Sequence, residues 1–408
     1  MLFAPLAALA ALLVPAQAAA PKAGPPAGAV RVATYNIQEL SAKKLGEKDA
    51  SGVGTNAQLV KAAAIVQRVR PDVLLVNEID GRLPSHTDAD NPAVWFRDRY
   101  LSIPQTGGGD PLDFPYIYYR PSNTGEPTGI DLDNDGKTDG PNDAFGFGKY
   151  PGEYGMALYS RFPLDEKGAR TFQKLLWKDV PGHLAPDGSG DRPKYYSEKQ
   201  MAIFRLSSKS HWDVPVTLPF ELAGGGRTLH LLCSHPTPPV FDGAEDKNGR
   251  RNFDEVRFWK DYLTDGDAAK YVKDDAGKVG GLAADAPFVI LGDLNAEPVR
   301  ADRAYGMPAI DMILKHPRVK DPRPETAGAA ADKSPDLKNF KPYKTSGFGR
   351  LDYALPSANL AYVGAGVFWP KEGEPGRDLI SPPNPASDHR MVWVDLKIGT
   401  PVRTTFAR

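Results

Sequence analysis

An α/β fold is what the hydrophobic patterning of this 408-residue chain predicts. Three observations carry the prediction. Residues 29–37 (AVRVATYNI) and 72–77 (DVLLVN) read as buried strands, and residues 55–70 (TNAQLVKAAAIVQRVR) between them read as a helix. Strand, helix, strand in that order is a βαβ unit. Several further short apolar runs stop abruptly at a polar residue, the clearest being residues 287–297 (PFVILGDLNAE). The 40 Gly and 39 Pro then predict long, structured loops between these elements.

Taken in order, the first strand ends at Asn36. The helix has Leu59, Ala63 and Val66 at helical spacing, Thr55 or Asn56 as its cap, and Pro71 as its stop. The second strand delivers Glu78. Residues 92–101 read as a helix, and residues 116–120, 155–160 and 200–206 read as strands. Residues 228–234 form a strand ending at His235, and residues 253–263 a helix with Val256, Trp259 and Leu263 on one face. After the strand at 288–291 come a helix at 309–314 and strands at 351–355 and 391–396. No internal repeat or dividing linker is visible. One domain over 29–398 is expected, with insertions near 104–150, 164–197, 236–250, 321–346 and 366–386.

Composition narrows the function classes. Hydrophobic content of 41% and charged content of 25% are those of a soluble globular protein. A net charge of −1 argues against a generally basic nucleic-acid-binding surface. Residues 1–20 (MLFAPLAALAALLVPAQAAA) are an apolar run followed by small residues, with AQA and AAA as cleavage sites, although no Lys or Arg lies near the start. The run is short for a membrane span. A signal peptide at 1–20, a disordered linker at 21–28, a tail at 399–408 and a secreted or periplasmic monomer are expected. Cys233 is the only cysteine, so no intrachain disulfide can form; a buried, inert thiol is expected there.

The strand ends together deliver Asn36, Glu78, His235, Asp293, Asn295, Asp352 and His389. At a strand end the period of two places Asp293 and Asn295 on the same side of the chain. An ordinary turn would use Asp and Asn to bond the backbone; a phosphate site would use the same pair on water and a phosphoryl oxygen. Seven such residues suggest hydrolysis at phosphorus. Glu78, Asn36 and Asp388 offer a hard cation oxygen ligands. His389 with Asp352 could manage a proton, and Asn295 could donate to a phosphoryl oxygen.

Seven motifs then occur in order: ATYNI at 33–37, VNEID at 76–80, GMALYSRFP at 155–163, SHPTPP at 234–239, GDLNAEP at 292–298, LDYALPS at 351–357 and SDH at 387–389. Over nearly the whole chain they resemble the endonuclease/exonuclease/phosphatase superfamily, also called the deoxyribonuclease-I-like fold. The resemblance implies a four-layered α/β sandwich, with two packed mixed β-sheets flanked by helices. It implies Glu78 as principal metal ligand, assisted by Asn36, with Asp388 nearby and Mg²⁺ or Mn²⁺ as the ion. Asp293 would orient water or assist the leaving group, and Asn295 would bind phosphate. His389 would be the base or a phosphate stabiliser, oriented by Asp352, and His235 would contact phosphate or act as an acid. The expected activity is metal-dependent hydrolysis of phosphodiesters or phosphomonoesters. An extracellular nuclease acting on DNA or RNA is one alternative, and a non-catalytic, calcium-stabilised binding module is the other.

Two further stretches stand outside those motifs. Asp131, Asp133, Asp135, Lys137 (through its carbonyl) and Asp139 have the spacing of a calcium loop, with Gly136 at the turn. The twelfth place holds Asn142 rather than Glu, with Asp143 as the substitute; the alternative is a solvated acidic turn. Lys209, His211 and Trp212, and then Arg250, Arg251 and Asn252, form basic clusters. His211 and Arg251 are the expected phosphate contacts among them; ordinary surface charge is the alternative for Lys209 and Arg250.

Overall fold

A computed structural model describes residues 24–398 except 82, 84–86, 88–89, 220–226, 265, 301–304 and 334–339. The signal segment, the linker up to residue 23 and the C-terminal tail lie outside the described residues.

Among the described residues, eleven strands form two mixed sheets. In the first, the spatial order is β10 (Ala361–Val367), β11 (Val392–Lys397), β1 (Ala29–Leu40), β2 (Val73–Ile79), β4 (Gly155–Ser160) and β3 (Tyr116–Tyr119). In the second it is β5 (Arg170–Thr171), β6 (His211–Leu218), β7 (Arg227–Ser234), β8 (Phe288–Asp293) and β9 (Asp352–Pro356). Each sheet is built on one parallel pair, β1–β2 and β7–β8, with antiparallel strands on either side. The parallel β1–β2 pair is the predicted βαβ unit. Its helix, Ala57–Val69, is capped by the Asn56 side chain bonded to the Leu59 amide, and Arg70 in the left-handed region ends it just before Pro71.

The sheets stack face to face, and helices cover their outer surfaces. Along β8, Val289 and Leu291 point into the layer between the sheets, whereas Phe288 and Ile290 face the helix Lys247–Leu263 with its Phe253, Val256, Trp259 and Tyr262. That alternation makes β8 apolar on both faces, which explains why its sequence reads as an unbroken apolar run. The architecture is the expected four-layered α/β sandwich. Cys233 is buried and unpaired, and burial pushes its thiol well above the usual value, so it is an inert core residue.

Several elements differ from expectation: β5, β6 and β10 have no counterpart in the strands expected from the sequence, and one expected strand is absent. Residues 200–206 form no strand. Ser197 caps a short helix, Glu198–Met201, and the Gln200 side chain reaches back to the Ser197 amide in a reciprocal cap. The second sheet instead takes β6, an unassigned stretch in the sequence reading that contains Pro215. Past the short pairing with β5, Pro215 pairs with His230 of β7, and its carbonyl accepts the Asp165 amide at 2.8 Å on the other side, so the missing amide falls on the edge of the sheet, where proline is tolerated.

Candidate functional site

All the predicted catalytic and metal residues gather at one end of the sandwich, for a topological reason. β2, β7 and β8 end there with Glu78, His235 and Asp293 at or next to their last residues, and β1 carries Asn36 beside them, four residues before its end, where its register with β2 shifts. β9 runs antiparallel to β8, so its first residue, Asp352, pairs directly with Asp293. β11 runs antiparallel to β1, so the chain entering it brings His389 to the same end.

A bulge sets the position of Glu78. Asn77 pairs with Met156 and Ile79 with Gly155, which leaves Glu78 as the extra residue on β2. Its φ of 68° lies in the left-handed region, at a cost of about 1–2 kcal/mol for a residue with a side chain. The turn brings the Glu78 carboxylate onto Asn36: Asn36 Nδ2 donates to Glu78 Oε1 at 3.0 Å, and the Glu39 amide to Oε2 at 2.9 Å. Asn36 Nδ2 also donates to Asp293 Oδ2 at 3.0 Å. With its NH₂ committed to two carboxylates, Asn36 leaves Oδ1 buried and without a partner. Burial raises the Glu78 pKa, and the hydrogen bonds from Asn36 and Glu39 only partly offset it.

Asp293 is the hub. Its Oδ1 accepts the Asn295 amide at 2.9 Å, and its own amide donates to Asn77 Oδ1 at 3.3 Å. Both histidines approach Oδ2, His235 through Nε2 at 3.5 Å and His389 through Nε2 at 3.7 Å. Burial pushes the Asp293 carboxyl up to about 6, against the opposing pull of His389. Gly292 makes this approach feasible. Its φ is 144°, and a Cβ there would lie 1.9 Å from the Ser234 carbonyl oxygen.

The imidazole of His389 is held from behind. Nδ1 is 2.9 Å from Asp352 Oδ2, which also accepts from Thr345 Oγ1 at 2.7 Å. Ser387 Oγ donates to the Asn36 carbonyl at 2.7 Å and accepts the His389 amide at 3.0 Å, tying this loop to β1. Burial opposes charge on His389, but Asp352 and Asp293 outweigh it and hold the imidazolium well above the usual range. His235 is the opposite case. Burial first, then the positive charges of Lys209 and His389, hold it well below the usual value, and its Nδ1 has no partner. The site thus holds one strongly basic and one neutral imidazole beside a single carboxylate.

Asn295, with φ 50°, spends one amide hydrogen on the Pro236 carbonyl at 3.1 Å, which fixes the side chain and leaves its second hydrogen available. Asp388 is partly exposed at the edge, with only a 3.4 Å contact from Ser387 Oγ. Asp293, Asp352 and His389 form the compact donor group, their ligand atoms all within 4.8 Å of one another.

His211 and Arg251 do not join them. His211 bonds Ser207 through Nδ1 at 2.5 Å and the Glu255 carbonyl through Nε2 at 3.0 Å, and it packs on Phe258 and Trp259. Arg251 donates to the carbonyls of Leu206, Phe145, Arg205 and Ser207 and lies over Phe204. Both ring nitrogens of His211 and the Nε and Nη2 of Arg251 are committed to the fold, so the expectation that they bind phosphate is corrected: they brace the loop at 205–208. Asn252 is likewise inside a helix rather than at its start, and its Nδ2 holds the carbonyls of Thr237 and Leu294 at 2.8 and 3.0 Å.

His211 gives a pH-dependent stability. Burial lowers its pKa to about 4, below the unfolded-chain value of about 6.5. A depressed histidine contributes fully above the unfolded value, and the contribution is lost as pH falls towards 4. The wild-type protein should lose ~3 kcal/mol more than His211→Gln between pH 7 and 4. Chemical denaturation of both proteins at the two pH values checks this; equal losses would exclude it.

Three contributors were missed. Asn77 is a polar residue inside a buried run, and that placement was a readable signal. Thr345 orients Asp352, but nothing local marks it. Glu255 accepts the amides of Ser208 and Thr237 at 2.6 and 2.7 Å, although its sequence reads as ordinary helix charge.

In the acidic loop the gathered carboxylates are Asp131, Asp133 and Asp143. Asp135 and Asp139 are exposed and outside that group, so Asp143 takes the place expected of a later ligand.

The profile of the Endonuclease/Exonuclease/phosphatase family matches residues 33–389. Among solved structures, the chain is similar to an endonuclease/exonuclease/phosphatase from Beutenbergia cavernae, with 19% identity, 91% of this chain and 72% of that one covered, and a TM-score of 0.48. It is similar to a mannosyl-6-phosphatase from Bacteroides thetaiotaomicron, with 13% identity, 90% and 99% covered, and a TM-score of 0.41. It is also similar to a beta toxin from Staphylococcus aureus, with 14% identity, 90% and 99% covered, and a TM-score of 0.43. No curated protein matches the sequence.

Proposed function

The chain belongs to the endonuclease/exonuclease/phosphatase family, and from that premise we propose that it is a divalent-metal-dependent phosphoesterase, hydrolysing phosphate esters by attack of water at phosphorus. The observation that carries the reading is the continuous chain Glu78–Asn36–Asp293–His389–Asp352, assembled from β1, β2, β8, β9 and the segment entering β11.

A hard cation fits at Glu78 and Asn36. The donors are oxygen, the Asn36 Oδ1 is buried without a partner, and Glu78 has no basic residue paired with it among the described residues. Such an ion, Mg²⁺ or Mn²⁺, supplies charge neutralisation for the phosphoryl group. The chain's own residues do the rest. Asp293, fixed by Asn36 and the Asn295 amide, orients the attacking water. His389 accepts its proton when neutral, a form that the raised pKa reserves for the alkaline side, so turnover should rise with pH, and Asp352 stabilises the imidazolium that results. Asn295 offers an amide hydrogen to a phosphoryl oxygen. His235, held neutral, faces the same water or the leaving group.

Hydrolysis of bis-p-nitrophenyl phosphate, p-nitrophenyl phosphate and plasmid DNA, each with Mg²⁺, Mn²⁺ or Ca²⁺, tests the reading. Turnover that chelation abolishes is expected. A folded, metal-bound protein inactive on the whole panel would instead support the non-catalytic binding module, and cleavage of DNA alone would support the nuclease.

Calcium at Asp131, Asp133 and Asp143 and export through residues 1–20 belong to the same proposal. What supports the first is the gathered carboxylates; what supports the second is the apolar leader. Chelation should lower the melting temperature, and calcium should restore it in the wild type but not in Asp133→Ala. Identical melting of both proteins with and without calcium would overturn the assignment. N-terminal sequencing of protein expressed with its own leader checks cleavage.

A further inference from the structure

Lys209 has no part in the reaction as drawn, yet it sits at the same end of the second sheet. His211, the first residue of β6, pairs with Ser234 at the end of β7. The two strands are antiparallel, so the chain preceding β6 runs past the segment that carries His235. That stretch is fixed on three sides. The Lys209 carbonyl accepts the Asn123 amide at 2.9 Å, the Ser208 amide donates to Glu255 Oε1 at 2.6 Å, and Ser208 Oγ donates to the His235 carbonyl at 3.4 Å. Gly146 packs so closely that a Cβ there would meet the Ser208 carbonyl oxygen at 1.9 Å.

Lys209 itself is only 6% exposed. Its ammonium makes no hydrogen bond and no ion pair with the described residues. The carboxylates acting on it are those of Glu255, Glu78 and Asp293, and its own charge helps to hold His235 neutral. A buried ammonium without a partner costs several kcal/mol. It is worth retaining where an anion is to arrive, because three fixed donors are then ready for it.

We propose that Lys209 is a substrate-binding residue of this site, donating to a non-bridging oxygen of the phosphoryl group and favouring dianionic phosphomonoesters over monoanionic phosphodiesters. The proposal rests on the phosphoesterase reading and adds the substrate class. The preference follows from charge: the attraction of a fixed cation for a dianion is about twice that for a monoanion at the same distance.

The test compares wild type, Lys209→Met and Lys209→Arg in two measurements. Calorimetry reads the binding of inorganic phosphate to the Mg²⁺-loaded protein, and steady-state kinetics reads kcat/KM for p-nitrophenyl phosphate and its bis ester. Lys209→Met removes a buried charge at nearly constant shape, so it should melt no lower than wild type. Its phosphate affinity should fall about 10- to 100-fold. Its kcat/KM should fall more for the monoester than for the diester, and Lys209→Arg should recover part of the loss. Unchanged phosphate binding in Lys209→Met would overturn the proposal, as would equal losses on both esters. A wild type that binds phosphate through Lys209 but hydrolyses neither ester would refute the phosphoesterase reading and leave Lys209 as an anion-binding residue. A wild type that hydrolyses both esters, with Lys209→Met unchanged, would refute the role of Lys209 alone.

Discussion

Glu78→Ala is expected to lose about a thousand-fold or more in turnover while staying folded. Glu78 is a partly buried carboxylate whose acceptors are filled only by an amide side chain and a backbone amide. Burial raises its pKa, which means that the folded state carries its negative charge at a cost. Without a cation, removing that charge should therefore not destabilise the protein. Glu78→Gln, which keeps an acceptor for Asn36, should melt at or above the wild type in chelator. In wild type a bound ion should raise stability by ~2.7 kcal/mol at a hundred times its dissociation constant; in either variant that increment should shrink or vanish. The loss of turnover follows from losing several kcal/mol of charge stabilisation in the transition state, with each 1.36 kcal/mol worth tenfold. Melting with and without Mn²⁺, alongside turnover, checks both halves. Substantial activity in Glu78→Ala would remove this residue as the metal ligand.

The distance between what the residues announce and what the fold does with them is instructive. Asn36, Glu78, Asp293, Asp352 and His389 were legible because each borders or interrupts an apolar run, and the ends of parallel strands share one end of the molecule with the starts of their antiparallel neighbours. The bulge that aims Glu78 was not legible, since it depends on the register of β2 against β4. Thr345 could not be found either. It meets Asp352 across a loop whose path is set by tertiary packing, and no local pattern encodes that. His211 misled because SSKSHW reads as a basic cluster able to contact phosphate. In the fold its first part braces a loop and the rest starts β6, and the histidine is satisfied among Phe258 and Trp259. Lys209, two residues earlier, reads the same way and ends up in a different environment, beside His235 rather than inside the core. Polar residues in sequence are therefore separable into support and site only once their hydrogen-bond partners are known.

His389→Ala is the second large effect, with a loss of about 10²- to 10⁴-fold in turnover expected from removing a positioned proton acceptor. The protein should remain folded but melt lower than wild type, because the buried Asp352 loses its ion pair and keeps only Thr345 as a side-chain donor. The pH dependence of that difference identifies its cause. The His389 pKa is raised in the folded state by Asp352 and Asp293 despite burial. A raised histidine contributes its full stability below the unfolded value of about 6.5, and that contribution is lost as pH rises through the folded value. The melting difference between wild type and His389→Ala should accordingly be largest near pH 6 and decline towards alkaline pH. A purely steric loss of packing would give a difference independent of pH. Asp352→Asn should also lower turnover, because the amide cannot stabilise an imidazolium as the carboxylate does, although the side-chain shape is kept. If His389→Ala retained turnover while Asp352→Asn lost it, the proton acceptor would have to be sought at His235, the other imidazole beside Asp293.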